Sequence, residues 1–556
     1  MISAPADTKG FEKKGLDGKV VPFSQGRTLR GSSAINGQVF VANSKPHIDA
    51  WAEFGNEGWD WKALAPYYQK FYTLTRPSPE ACKHLRLEYI DDAVHATNGP
   101  VQASFPEEAE DPLPTAWVDT FAALGYPASG DPFSGEMCGG YINAMSIDPK
   151  SRTRSYAVTA YLEPAETRPN LRVITGAIVE KIIFDPSGAI PKAVGVQVEV
   201  DGSTTTITVT KEVILAAGAF GTPKVLELSG IGPRRHLESL GINVAVDNPN
   251  VGENLQDHPN TSISFEVADG VKTLDPLSRQ EPEALEAAMT AYTTEKAGLL
   301  ATSGTFVGSL IPLPDFVGPD GEDALRQVQS LVEDDAMPGL FSPYHASFVK
   351  RALANPCEGV GQVFTYPSCN NVNPEGAGVN ILQHGDKSTQ KNFCTLVATI
   401  LYPLGRGSVH ITSADPKAKP AIDPRYLEHP ADLEILARFL QYFEKIISTE
   451  PLSKLIKRNG SRNGAPLDLS DLEVAKTYTK RSCLSCWHAT SSCAMLPRER
   501  GGVVNSDLLI YGTTGLRIVD SSVIPSATRG NTQTTVYAVA ERAADMIKAS
   551  HGIATN

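Results

Sequence analysis

Two residues near the end of the chain have the side-chain types from which a proton-removing site is built. His488 stands in CLSCWHATSSCAM (483–495), between an aromatic residue and a run of small polar ones. Asn531 follows Gly530 and opens the last helix-like segment, NTQTTVYAVAERAADMIK. An imidazole that is neutral near pH 7 can take a proton from a hydroxyl. A carboxamide N–H can hold the oxygen left behind without competing for that proton. Other readings attach to the same stretch. His488 could be a core histidine bonded to backbone. Cys483, Cys486 and Cys493 could join it as metal ligands, but C-x2-C-x-H-x4-C lacks the two separated ligand pairs of structural zinc motifs. Cys483 and Cys486 could be a redox pair, but no thioredoxin-like pattern surrounds them, so spectator thiols are the simpler reading.

Such a pair needs a scaffold, and the clearest scaffold segment is VILAAGAFGTPKVLELSGIGP (213–233). Val213–Ala217 reads as a strand buried on both faces. A Gly turn and an apolar-periodic helix ending at Ser229-Gly230 follow, as in nucleotide-binding α/β sheets, although the full G-x-G-x-x-G spacing is lacking. VGENLQDHP (251–259) closes the unit. Upstream, residues 152–185 predict a helix ending near prolines and then β-branched strands. AVGVQVEVDGSTTTITVT predicts a hairpin turning at Asp201-Gly202. Earlier still, VVPFSQGRTLRGSSAINGQVFVAN (20–43) gathers Gly26, Gly31, Ser32, Ser33, Asn36 and Gly37. Small residues there let backbone N–H groups approach an anion, or form an ordinary turn. Trp51, Trp59 and Trp61 read as packing, and the acidic run at 106–112 as solvated surface.

Residues 260–400 are the least legible; a helix around 282–298 and several prolines suggest a structured insertion forming substrate walls. FCTLVATILYPLGRGSVHIT (393–412) predicts two strands joined by a Gly-Arg-Gly turn. The segment after AIDPRYLEHP predicts an amphipathic helix with Leu433, Ile435, Leu436, Leu440 and Phe443 inward.

At 556 residues the chain is too long for one small domain, and its 46 glycines and 40 prolines speak for many turns rather than a helical bundle. A net charge of −13 argues against a nucleic-acid footprint, which would need a basic face. No apolar run reaches the ~18 residues of a membrane span, and the first residues show no apolar signal-peptide core. Eight cysteines in this length are not a disulfide scaffold. Sequons at Asn260 and Asn459 are compatible with secretion, and the compartment stays open.

Several separated motifs occur together. GRTLRGSSAIN, GAFGTPKVLELSGIG, VGENLQDH, GRGSV, AIDPRYL and the block from WHATSSCAM to GNTQTTV resemble, in order and spacing, the glucose–methanol–choline (GMC) family of FAD-dependent oxidoreductases. The resemblance implies an α/β plus α+β fold: an FAD-binding α/β domain interleaved with a substrate domain on an antiparallel sheet with flanking helices. Residues 1–45, 152–258 and 483–556 would form the first, and 46–151 and 259–482 the second. It also implies cofactor contacts from Ser32, Asn36 and Gly37, a backbone contact to adenine at Val179, and a flavin-side position for Asp520, Asn531 and Thr532. His488 matches the family's active-site histidine. Asn531 stands where sugar oxidases of the family place a second histidine. The reaction implied is oxidation of a small primary or secondary alcohol, aromatic or from secondary metabolism. Its hydride passes to flavin N5, and oxygen or a quinone-type acceptor completes the cycle.

The family normally opens with a βαβ unit carrying G-x-G-x-x-G, and this chain shows no such unit; Arg30 also stands where the family usually has a glycine. The expectation is an FAD domain incomplete at its N-terminus, and hence a polypeptide that alone is colourless and poorly soluble. The family also contains ring-closing, non-redox members such as versicolorin B synthase. The same His488 and Asn531 could serve acid–base cyclisation, or persist in a catalytically silent member.

Overall fold

The computed structural model describes residues 3–6, 14–29, 31–107, 110–304, 307–314, 319–333, 339, 341–370, 390–463, 465–466 and 468–554. Arg30 and part of the acidic 106–112 run lie outside them. In chain order, the strands that build the site and its support are β1 (Gly139–Ile142), β2 (Ala177–Asp185), β3 (Lys192–Val200), β4 (Ser203–Thr208) and β5 (Val213–Leu215). They continue as β6 (Pro259–Glu266), β7 (Val307–Ile311), β8 (Gly361–Tyr366), β9 (Phe393–Ile400), β10 (Leu484–Ser485) and β11 (Leu516–Ile518). The helices are α1 (Gly218–Leu228), α2 (Pro430–Ser448), α3 (Leu472–Ser482) and α4 (Gln533–Ser550).

The largest sheet is antiparallel, in the order Arg462–Asn463, β6, β9, β8, β7, β1, with β10 pairing the first residues of β6. Every residue of β6 and β9 is buried. β9 achieves this with the β-branched and apolar run FCTLVATI. β6 reads PNTSISFE and buries hydroxyls instead. Ser264 bonds Thr395 Oγ1 at 2.7 Å, Thr261 bonds Ser482, and Ser262 accepts from Asn370 Nδ2 at 3.0 Å. Buried hydroxyls paired in this way avoid the penalty of an unmade bond. α2 and α3 pack on this sheet, and Ile435, Leu436, Leu440 and Phe443 are buried as the amphipathic pattern predicts, with Leu433 partly so.

A second, smaller group is parallel. β5 pairs β11 from Val213↔Leu516 to Leu215↔Ile518. β5 runs through Gly218, at φ +78°, into α1, after which Gly230 has φ +81°. Beside them β2, β3 and β4 form an antiparallel meander. The β3–β4 turn has φ +50° at Asp201 and +78° at Gly202, the paired positive angles that a two-residue hairpin requires.

Three expectations are corrected. Ile214 is 43% exposed while Val213 and Leu215 are buried, so β5 is covered on one face and not on both. The helix before the prolines at 164–169 is short and irregular, and Leu171–Gly176 form no strand before β2. The two strands of 393–412 both form but do not pair with each other, since Ser408–His410 takes Ala421–Asp423 as its partner. Of the two sequon asparagines, Asn260 is buried in β6 with its amide on Cys486 Sγ, and Asn459 is exposed. Trp51 and Trp59 are fully buried packing residues, and Trp61 is partly buried against the same core. Among the described residues no helix is long and apolar enough to cross a membrane.

Candidate active site

The segment Asn254–His258 is the frame on which the site hangs. Gln256 exchanges both backbone hydrogen bonds with Thr490. Its side chain donates to Pro525 O and accepts from Ala527 N, joining the 484–491 segment to the turn before α4. Next in line, Asp257 is buried and all four of its acceptor positions are used. Oδ1 accepts the backbone N–H of His258 at 2.8 Å and of His488 at 2.7 Å, while Oδ2 accepts the hydroxyls of Tyr426 and Ser485. Burial raises the Asp257 pKa, with those bonds acting against the rise. Ser485 Oγ also accepts from Trp487 N at 2.7 Å. This matters because Trp487 sits at φ +59°, a left-handed conformation that a bulky residue adopts only when held there. Asp257 and Ser485 hold both sides of that kink and thereby aim the next side chain, His488.

His488 is half-buried, with Nε2 3.0 Å from Asn531 Nδ2 and Nδ1 2.9 Å from His258 Nδ1. Burial, and then the adjacent His258, hold its pKa well below the ordinary histidine value, so at pH 7 the ring is neutral. The imidazole and the carboxamide singled out from the sequence thus meet across 43 residues of chain.

The early loop is tied both to the start of α4, two residues after Asn531, and to the β5–α1 turn. Asn36 donates to Gln533 Oε1 at 2.9 Å, which ties the early loop to the start of α4. Arg154 clamps that loop, donating to Asn36 Oδ1 at 2.6 Å and to Asn36 O at 2.8 Å. A Cβ on Gly218 would come within 2.7 Å of the Gln25 side chain, so the same loop also lies against the β5–α1 turn. Around this convergence Ser32, Gly37, Ala216 and Ala217 are exposed, and Gly218, Asn531 and Thr532 are half-buried. Thr532, the residue before α4, makes no side-chain cap among the described residues, which leaves the first amide hydrogens of α4 for an electron-rich ligand. Small residues at the carboxyl ends of parallel strands, beside an uncapped helix start, suit a flavin nucleotide.

The remaining candidates are placed differently. Asp520 is buried and committed to the protein: Oδ2 takes Gly218 N and Thr222 Oγ1, and Oδ1 takes the Ser522 amide and hydroxyl. It shapes the β5–α1 turn. Val179 stands 39% exposed on β2. Cys483 and Cys486 are free thiols that burial pushes up to about 12. Sequence reasoning missed Asp257, His258 and Arg154. The available signal was Gln256-Asp257-His258, three polar residues running directly into a strand, which must bond one another or other polar groups if buried.

The GMC oxidoreductase N-terminal family profile matches residues 9–260, and its C-terminal profile matches 403–540. The chain is a GMC oxidoreductase. Dehydrogenase mpl7 of Monascus purpureus is 33% identical over 99% of this chain and 88% of its own length. An FAD-dependent oxidoreductase from Chaetomium thermophilum superposes with a TM-score of 0.85 at 28% identity, covering 98% of this chain and 90% of that one. A fungal aryl-alcohol oxidase superposes at 0.82 with 25% identity, covering 99% and 90%. FAD is the cofactor of this GMC oxidoreductase, and the residues where the early loop meets α4 and the β5–α1 turn fit it.

Proposed function

We propose that the chain oxidises a primary or secondary alcohol, with His488 as the base and Asn531 as the group that holds the substrate oxygen. The observation that carries this reading is the 3.0 Å contact between His488 Nε2 and Asn531 Nδ2, made where His488 is neutral and partly accessible. An alcohol is a poor hydride donor until its hydroxyl proton leaves. His488 Nε2 accepts that proton, and the Asn531 N–H turns to the oxygen on which negative charge develops. Bound FAD supplies the acceptor for the hydride. Ser32, Asn36, Gly37 and Thr532 would hold its ring and phosphate side and Val179 its adenine side, while Asp520 keeps the Gly218 turn open to it. Oxygen or a quinone-type molecule would then take the electrons.

The test is anaerobic mixing of flavin-loaded protein with aromatic and aliphatic alcohols while the flavin band is followed. Bleaching is expected, and His488→Ala or Asn531→Ala should slow it by ~10²–10⁴-fold. Substrate conversion that continues undiminished after flavin removal would replace the oxidation with ring closure or dehydration. Bleaching at the normal rate in His488→Ala would remove the base assignment.

A further inference from the structure

His258 is the last residue of the Asn254–His258 frame and is fully buried. The hydrogen bond at its Nε2 points to one arrangement of protons. Nε2 lies 3.1 Å from the carbonyl oxygen of Leu401, an atom that can only accept, so Nε2 carries a hydrogen. Burial pulls the His258 pKa down to about 4, against the Leu401 and Thr528 carbonyls, which favour the charged form. At neutral pH the ring therefore holds one proton, and its Nδ1 is bare. His488 Nδ1 faces that bare nitrogen at 2.9 Å, and two lone pairs cannot face each other, so His488 Nδ1 must carry its own hydrogen. His488 too is neutral, which leaves its Nε2 as the bare atom. Asn531 then presents its N–H, not its oxygen, to that atom, which also settles the orientation of the amide.

We propose that His258 is a positioning residue: it fixes His488 in the Nδ1–H tautomer and so leaves Nε2 free to take the substrate's proton. The proposal rests on His488 being the base and adds the reason that this nitrogen, and not the other, is available. Both residues hang by their backbone N–H from one carboxylate oxygen of Asp257, so the spacing of the two rings is set by the frame. When Nε2 takes a proton, the Nδ1–H bond to His258 becomes charge-assisted and holds the imidazolium in place. Protonation of His258 would give it two donors and force His488 to accept at Nδ1, moving the hydrogen to Nε2 and ending its role as base. The titratable and charged groups near the pair are Asp257, whose oxygens are fully engaged, Cys486, whose thiol stays protonated, and beyond His258 the buried His47 and Arg529. None of them supplies another acceptor for His488 Nδ1.

The direct test is imidazole ¹⁵N NMR of the flavin-loaded protein labelled at histidine, with the His488 signals assigned by their loss in His488→Gln. A bare Nε2 and a protonated Nδ1 are expected; the reverse pattern overturns the proposal whatever residue is the base. The kinetic test compares His258→Phe, which fills the space without an acceptor, with His258→Gln, whose carbonyl can accept from His488 while its NH2 donates to Leu401. The Phe variant should lose ~10²–10⁴ in kcat, as expected when a base is left in the wrong tautomer. It should also show a shifted acid limb in kcat/KM, while the Gln variant recovers most of the rate. Equal losses in both variants, with the acid limb and the His488 shifts unmoved, would reduce His258 to packing and overturn the proposal. Full activity in His488→Ala would instead overturn the base assignment, while leaving the NMR result standing.

Discussion

Arg154 illustrates what one side chain contributes when its partner is far off in sequence. Its two terminal nitrogens bond the side chain and the backbone oxygen of Asn36, 118 residues away, and burial lowers its pKa. Lysine offers a single point of charge and cannot make that two-pronged contact. Arg154→Lys should weaken FAD retention by about tenfold or more, the scale of one lost charge-assisted bond, read by flavin titration of the apoprotein. Because Arg154 does not touch His488, the acid limb of kcat/KM in the reloaded variant should stay where it is. The contrast also shows what a linear reading can see at this scale. His488 and Asn531 sit in compact, chemically distinctive stretches and are legible from their neighbours alone. Arg154, Asp257 and His258 acquire their roles from partners brought together by folding, 230 residues apart for the two histidines, and no local pattern announces that.

At the level of elements, legibility follows whether burial is apolar. The Asp201-Gly202 hairpin, β9, α1 and α2 all announce themselves through turn chemistry or hydrophobic period. β6 does not, because three of its buried side chains are hydroxyls satisfied by partners on other segments, and a hydrophobicity pattern cannot register that. The exposed Ile214 fails for a different reason: an apolar strand looks the same in sequence whether or not a neighbour covers it. Turn positions allow a sharp comparison. Gly230 follows α1 at φ +81°, and a Cβ there would stand 2.3 Å from Asn243 O; Gly241 has φ +72° but, among the described residues, nothing within 4 Å. Gly241→Ala should cost only the left-handed backbone penalty, about 1–2 kcal/mol. Gly230→Ala should cost clearly more, because backbone atoms must also move. The two variants, compared by urea denaturation, should fall in that order; equal midpoints would mean that the α1 terminus relaxes freely.

Across the whole molecule, buried histidines set the response to pH. Burial holds His47 at about 3 and His258 at about 4, and keeps His345 and His488 well below the usual value. In the unfolded chain all four take up protons near pH 6.5, and in the folded chain they do not, so lowering the pH through 6.5 favours unfolding. His410 has the opposite sign. It bridges Glu227 at 2.7 Å and Glu253 at 3.0 Å, and those carboxylates outweigh its burial and raise it to about 9. Its stabilisation is complete below about pH 6.5 and is lost as the pH rises from there through about 9. Asp257 and Asp432, raised by burial, oppose the acid loss, but they are two against four. Stability should therefore peak at about pH 7, where the two opposing slopes cancel, and fall more steeply on the acid side, read as the denaturation midpoint across pH. His345 gives the cleanest check, since among the described residues both its ring nitrogens are buried without a hydrogen-bond partner. His345→Phe should flatten the acid limb with little cost at pH 7, whereas His410→Gln should lower the midpoint at pH 6.5 and flatten the alkaline limb up to about 9. An acid limb unchanged in His345→Phe would mean that this imidazole is solvated and already titrates as it does in the unfolded chain.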